Sequence, residues 1–129
     1  MFILIKRKTE IRRKYIMYKY NARLNRIIDG DTIDVAIDLG FDIWINERVR
    51  LAGIDAPEVR TRDKIEKTAG IKSTEWLVDM FDKHEVFVLA TTEFNRTGKY
   101  GRTIGTVYLD DVNVNELMVK EGFATEYLS

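Results

Sequence analysis

Cysteine is absent from this chain, and histidine and proline occur once each, at His84 and Pro57. Without thiols there is neither a disulfide framework nor a thiolate metal site. One imidazole excludes a multi-histidine zinc centre within the chain. Any resident metal must therefore be held by oxygen atoms, which selects hard cations. Internal repeats and low-complexity stretches are also missing, and no apolar run approaches membrane-spanning length. The apolar opening is interrupted at Lys6, too early for a signal-peptide core, and the basic stretch follows it rather than leading. A cytoplasmic location is expected for the chain as written, and a secreted one if it is a trimmed mature form.

Net charge is missing as well, since 21 Lys/Arg balance 21 Asp/Glu, but the balance is uneven. Residues 1–26 carry nine Lys/Arg and one Glu, a net of +8, and residues 27–129 carry a net of −8. A basic arm ahead of an acidic body fits a polyanion partner or a solvated tail equally well. A chain of 129 residues supports one domain with a real core. We therefore divide it into a basic arm or extra strand over 1–19 and one folded domain over 20–129.

What is present reads mainly as β-structure. Arg23 to Ile28 predicts a strand, followed by Asp29-Gly30-Asp31, a pair-and-acid sequence that suits a tight turn with positive φ. Thr32 to Leu39 alternates, with Ile33, Val35, Ile37 and Leu39 on one face. Gly40-Phe41-Asp42 makes a second turn, and Ile43 to Ile54 a third strand with Val49 and Leu51 inward. Asp55 to Lys67 reads as a loop. From Ala69, the spacing of Ser73, Trp76, Leu77, Met80 and Phe81 predicts a helix, with Gly70 weakening its first turn. Lys83 and His84 then suit its C-terminal dipole, which gives His84 a structural reading. Strands follow over Glu85 to Thr91 and Thr103 to Leu109, separated by a polar loop. Asp110-Asp111 turns the chain, and a short helix over Asn115 to Glu121 closes at Gly122. Five short strands, with one helix between the third and fourth and another after the fifth, predict an OB-type, partly open β-barrel.

Charge and turn chemistry collect at the strand ends. Asp31, Asp55 and Glu58 lie at or just after neighbouring strands, where three carboxylates repel unless something positive sits among them. A calcium ion, which takes carboxylate, carbonyl and water oxygens, resolves that conflict. Taken singly, each acid also reads as an ordinary turn or loop residue. Arg50 lies between Val49 and Leu51, and Arg102 follows a Tyr-Gly turn. Each alone reads as a surface charge, but guanidinium forks match phosphate oxygens. Two of them facing a carboxylate-held cation make a phosphodiester site.

Ile28-Asp29-Gly30-Asp31-Thr32, Val49-Arg50-Leu51-Ala52-Gly53-Ile54-Asp55-Ala56-Pro57-Glu58, Lys99-Tyr100-Gly101-Arg102, Val114-Asn115-Glu116-Leu117 and Gly122-Phe123-Ala124 resemble the staphylococcal nuclease family. The resemblance runs in order from about Tyr20 to Tyr127, and the Arg-to-Glu segment is its most specific part. It implies calcium held by Asp31, Asp55 and the backbone carbonyl of Ala56, where the best-known member has threonine. It also implies a catalytic Glu58 that orients or deprotonates water, and phosphate-binding Arg50 and Arg102. An unperturbed glutamate, with a pKa of about 4.3, is a weak base at neutral pH, which favours orientation. Lys99, Tyr100 and Tyr127 are implied to contact the nucleotide and its other phosphate. The implied activity is cleavage of DNA and RNA, single strands preferred, to 3′-phosphate ends, by a monomer without a membrane partner. The competing expectation is a non-catalytic OB-fold module that binds nucleic acid or protein. The family's usual C-terminal helix is expected to be missing or shortened.

Overall fold

The computed structural model describes residues 17–92 and 103–127. Within them the elements run β1 (Met17–Asp29), β2 (Thr32–Asp38), β3 (Trp44–Leu51), β4 (Ile54–Asp55), α1 (Lys64–Phe81), β5 (Val86–Thr92), β6 (Thr103–Leu109), β7 (Val112–Asn113), α2 (Val114–Lys120) and β8 (Thr125–Glu126). Of the expected arm, residues 17–19 belong to β1, and residues 1–16 lie outside the described residues.

Strands β1 to β3 form the antiparallel meander that alternation predicts, and β1 also pairs with β5, which pairs with β6. Strand β6 then lies parallel to β3, with Val49 facing Thr103 and Leu51 facing Gly105. That seam closes five strands into a barrel, with α1 between the third and fourth of them. The expected architecture is present, but closed rather than partly open. Because side chains alternate across a strand, Ile33, Val35 and Ile37 of β2, Val49 and Leu51 of β3, and Val107 and Leu109 of β6 all reach one buried core. Helix α1 packs Leu77 and Phe81 into the same core, Phe81 meeting Phe87 edge-on at 5.1 Å.

Several local expectations change. β1 starts earlier than Arg23 because it has partners on both sides, so that Ala22 faces Ile37 on β2 and Phe87 on β5. Leu39 is exposed rather than inward, since β2 ends where the Asp38 carboxylate accepts from the amide of Gly40 at 2.8 Å and turns the chain. Helix α1 begins at Lys64, not Ala69, because Asp63 caps it, accepting from the amides of Ile65 and Glu66. It ends at Phe81 with no basic side chain in its last turn, so Lys83 and His84 follow it. His84 nonetheless serves structure, with Nδ1 3.0 Å from the Met80 carbonyl and Nε2 2.7 Å from Asp110. The Asp110-Asp111 turn and the Gly122 helix end are as expected.

Asn115 holds the seam. Its Nδ2 donates to the carbonyls of Ala52 (2.9 Å) and Gly105 (3.2 Å), and its Oδ1 accepts from the amide of Val107 at 3.1 Å. One buried side chain thus bonds three backbone groups where β3 leaves β6, of which the Gly105 carbonyl also accepts from the Ala52 amide at 2.8 Å. Asn115→Ala is expected to destabilise the protein by at least about 2 kcal/mol, since each stranded buried group costs about 1–3 kcal/mol. Urea unfolding measures this, and a loss below about 0.5 kcal/mol would show that the seam closes without it.

Candidate active site

Asp31 sits in the turn between β1 and β2 with its carboxylate drawn into the barrel rim. Oδ1 accepts from the Thr32 hydroxyl at 3.0 Å, and Oδ2 accepts from the amide of Ala56 at 2.9 Å. The second bond ties the first hairpin to the residue that follows β4. For this the two segments must touch: a Cβ on Gly30 would lie 2.8 Å from that of Ala56 and 2.9 Å from that of Ser73. Gly30 is therefore required by close approach, and positive φ, which the Asp-Gly pair suggests, is not used here.

Arg50 points outward from β3, opposite in parity to the buried Val49 and Leu51. Its NH1 lies 3.5 Å from Asp31 Oδ2 and donates to the Leu51 carbonyl at 3.1 Å, while NH2 lies 3.3 Å from Asp55 Oδ1. One guanidinium thus bridges a buried and an exposed carboxylate. The positive charge that the acids call for stands among them in the form of Arg50. Among the described residues, no three His, Cys, Asp or Glu side chains gather into a cluster that could hold a metal by themselves.

A fourth acid joins the group. Asp29 Oδ1 accepts from the amide of Asp31 at 3.1 Å. Its carboxyl is pushed up to about 6, first by burial, then by hydrogen bonding to Asp31 and by that residue's negative charge, with Glu58 adding repulsion. The Asp-Gly-Asp spacing was the available signal, with two acids on one turn.

Glu58 lies on the exposed loop after β4, beside a depression of about 240 Å³ lined by Asp55, Ala56, Pro57, Glu66 and Phe123. Its backbone is held from two directions. Glu66 Oε1 accepts from the amide of Glu58 at 3.3 Å. The backbone of α1 also passes so close at Gly70 that a Cβ there would lie 2.7 Å from the Glu58 carbonyl oxygen and 2.8 Å from that of Pro57. Asp63 and Glu66 have the spacing of a capping box. Glu66, however, reaches back to Glu58, and the Asp63 amide instead donates to Thr61 Oγ1 at 3.2 Å. The Asp-x-x-Glu pattern is the signal by which both the helix start and this tether can be read.

Tyr127 is half exposed, and its amide donates to the Gly53 carbonyl at 2.9 Å. It lines a different depression from Glu58, one of about 660 Å³ bordered by Ala52, Ile54, Asn115 and Val119. Lys99, Tyr100 and Arg102 lie outside the described residues. The strand that follows them, β6, starts opposite Val49, the neighbour of Arg50.

A model of the staphylococcal nuclease homologue family matches residues 48–129, which include Arg50, Asp55, Glu58 and the seam. The chain belongs to this family. Among its relatives, a micrococcal nuclease of Shigella flexneri is 36% identical over 117 residues, covering 84% of this chain and 59% of that protein. A thermonuclease of Staphylococcus intermedius is 36% identical over 104 residues, covering 78% of this chain and 56% of the relative. Protein ParB of Escherichia coli is 38% identical over 111 residues, covering 79% and 54%. The chain spans a little over half the length of these relatives.

The contact at Gly70 makes a prediction with a definite sign. On helix propensity alone, Gly70→Ala would stabilise α1 by up to about 1 kcal/mol. Because the atoms in the way are backbone carbonyls, the substitution is expected instead to cost about 1–3 kcal/mol. A denaturant midpoint that rises in Gly70→Ala would show that α1 does not press on the Glu58 loop.

Proposed function

We propose that this chain is a calcium-dependent nuclease that hydrolyses phosphodiester bonds of DNA and RNA, single strands preferred, and leaves 3′-phosphate ends. The observation that carries the reading is the Arg50 guanidinium held between Asp31 and Asp55 at the barrel rim, in a family whose members include named nucleases. The fork of Arg50 matches phosphate oxygens, and an arriving phosphodiester competes with the two carboxylates for it. Arg50 and Arg102 then stabilise the charge that grows on the pentacoordinate phosphorus. Glu58, with its backbone fixed by Glu66 and Gly70, orients the attacking water. The water oxygen bonds to phosphorus as the bond to O5′ breaks, and the proton ends on that leaving oxygen. Lys99, Tyr100 and Tyr127 contact the nucleotide and its other phosphate.

Asp31, Asp55 and the carbonyl of Ala56 are the groups that would hold the cation. Their chemistry fits, because the set is all oxygen and suits a hard ion. Asp31 is already fixed by Thr32 and the Ala56 amide. Calcium bound there supplies neutralisation of a phosphate oxygen and a place for water. The protein is read as a monomer with a nucleic-acid partner and no membrane. Among the described residues no helix is long and apolar enough to cross one.

Purified protein incubated with single-stranded DNA is expected to cleave it with calcium and to stop when a chelator is added. Arg102→Ala is expected to lose about 10²–10³ in turnover while its thermal unfolding is unchanged. Absence of calcium-dependent cleavage across mildly alkaline pH would sink the reading, and salt-dependent binding without turnover would make the chain a non-catalytic module.

A further inference from the structure

The outward residues of β3 run Trp44, Asn46, Arg48 and Arg50. Register places Ala36 of β2 and Arg23 of β1 in the row of Asn46, and Asp34 and Arg26 in the row of Arg48. From Arg50 to Trp44 the strand covers about 20 Å at about 3.3 Å per residue. A continuous band therefore leads from the candidate active site to the tip of the β2–β3 hairpin, with the small Ala36 forming a low floor midway.

The tip is apolar and strained. Phe41 is 97% exposed and holds φ +55°, and Asp42 follows at +60°. Leu39, Ile43 and Trp44 beside it are also exposed. A left-handed backbone costs a residue with a side chain about 1–2 kcal/mol, and a fully exposed ring recovers nothing by burial. Glycine would satisfy this position better, and no contact among the described residues accounts for the aromatic ring. Behind it, the Arg23 guanidinium lies 5.1 Å from the centre of the Trp44 ring.

We propose that this band is a track for single-stranded nucleic acid running from Arg50 to the hairpin tip. Trp44 and Phe41 stack on bases, and Arg23, Arg26 and Arg48 face phosphates. The inference rests on the nuclease reading and deepens it, because it places substrate contacts well away from the scissile phosphate. Stacking on an aromatic side chain is worth about 1–3 kcal/mol per base and is indifferent to sequence. It needs an exposed base face, which a duplex hides, so the track selects unpaired strands. With Arg50, four arginines line the band, against Asp34 and Asp38 within it and Asp42 at the tip. Asp34 is forked by Arg48 at 2.8 and 3.1 Å, and Asp38 is engaged by the Gly40 amide.

Binding of a labelled oligothymidylate of about 12 nucleotides, within the range OB-folds occupy, is measured by anisotropy in chelator, where no turnover is needed. Trp44→Ala is expected to weaken binding about 10-fold and to abolish quenching of tryptophan emission by the oligonucleotide, although Trp76 remains. Phe41→Gly suits the backbone at that position, so it is expected to fold at least as well as the parent while losing about 5-fold or more in affinity. In the cleavage assay both variants should raise KM for long single strands and leave kcat unchanged. Affinity within twofold of the parent in both variants overturns the track, as does vesicle binding that depends on Phe41 while oligonucleotide binding does not. Trp44-dependent binding without any cleavage would remove the nuclease reading and keep the track. Normal cleavage with unaltered KM would do the reverse.

Discussion

The barrel depends on the parallel seam between β3 and β6, and the seam depends on a buried amide. Parallel pairing brings together Val49 and Thr103, residues far apart in the chain, and ends after Leu51 meets Gly105. Where the strands part, backbone groups lose their ladder partners at buried and partly buried positions, which is costly unless something replaces them. Asn115 supplies partners from α2, so the short helix ties the seam from outside the sheet. The seam also fixes where Arg50 emerges and where the chain enters β6 beside it. Fold and site therefore share one constraint.

The candidate site is assembled from contacts that leave little freedom. A hairpin turn, a strand, a two-residue strand with its following loop, and the first turns of α1 meet within a few residues. Missing side chains let them do so, at Gly30 against Ala56 and Ser73 and at Gly70 against Pro57 and Glu58. The electrostatics are equally tight. Four carboxyl groups and one described guanidinium lie at the rim, and the Asp29 carboxyl is pushed up, first by its burial and then by Asp31 beside it.

Much of this is legible in the sequence, and the failures have physical causes. The barrel strands show because their inward positions repeat every second residue, and Ile33, Val35 and Ile37 state this without ambiguity. Arg50, Asp31 and Asp55 come together as their positions at strand ends imply. The early start of α1 was hidden because its first turn, Lys64 to Lys67, buries no apolar side chain, Ile65 being exposed, which leaves only the Asp63 cap to mark it. Gly70 looks like a flaw when only propensity is considered, since propensity does not register the loop packed against it. A five-stranded barrel was legible, but not which two edges meet to close it. Alternation reports which face of a strand is buried, but not which distant strand pairs with its edge. The role of Asn115 was missed for the same reason, being defined by three carbonyl and amide groups on other segments.

The two ends of the Arg50 bridge differ in kind. Asp31 has both oxygens engaged before any ligand arrives, one by a hydroxyl and one by an amide, so its orientation is set during folding. Asp55 is more than half exposed, and among the described residues its side chain has only the long contact to Arg50 to hold it. A ligand at the rim thus meets one fixed jaw and one free one. The entropy of ordering the fixed jaw is already spent, and the remaining cost of binding falls on Asp55. Selectivity for size should be governed by how far that free carboxylate must travel, and rigidity by the turn that holds Asp31.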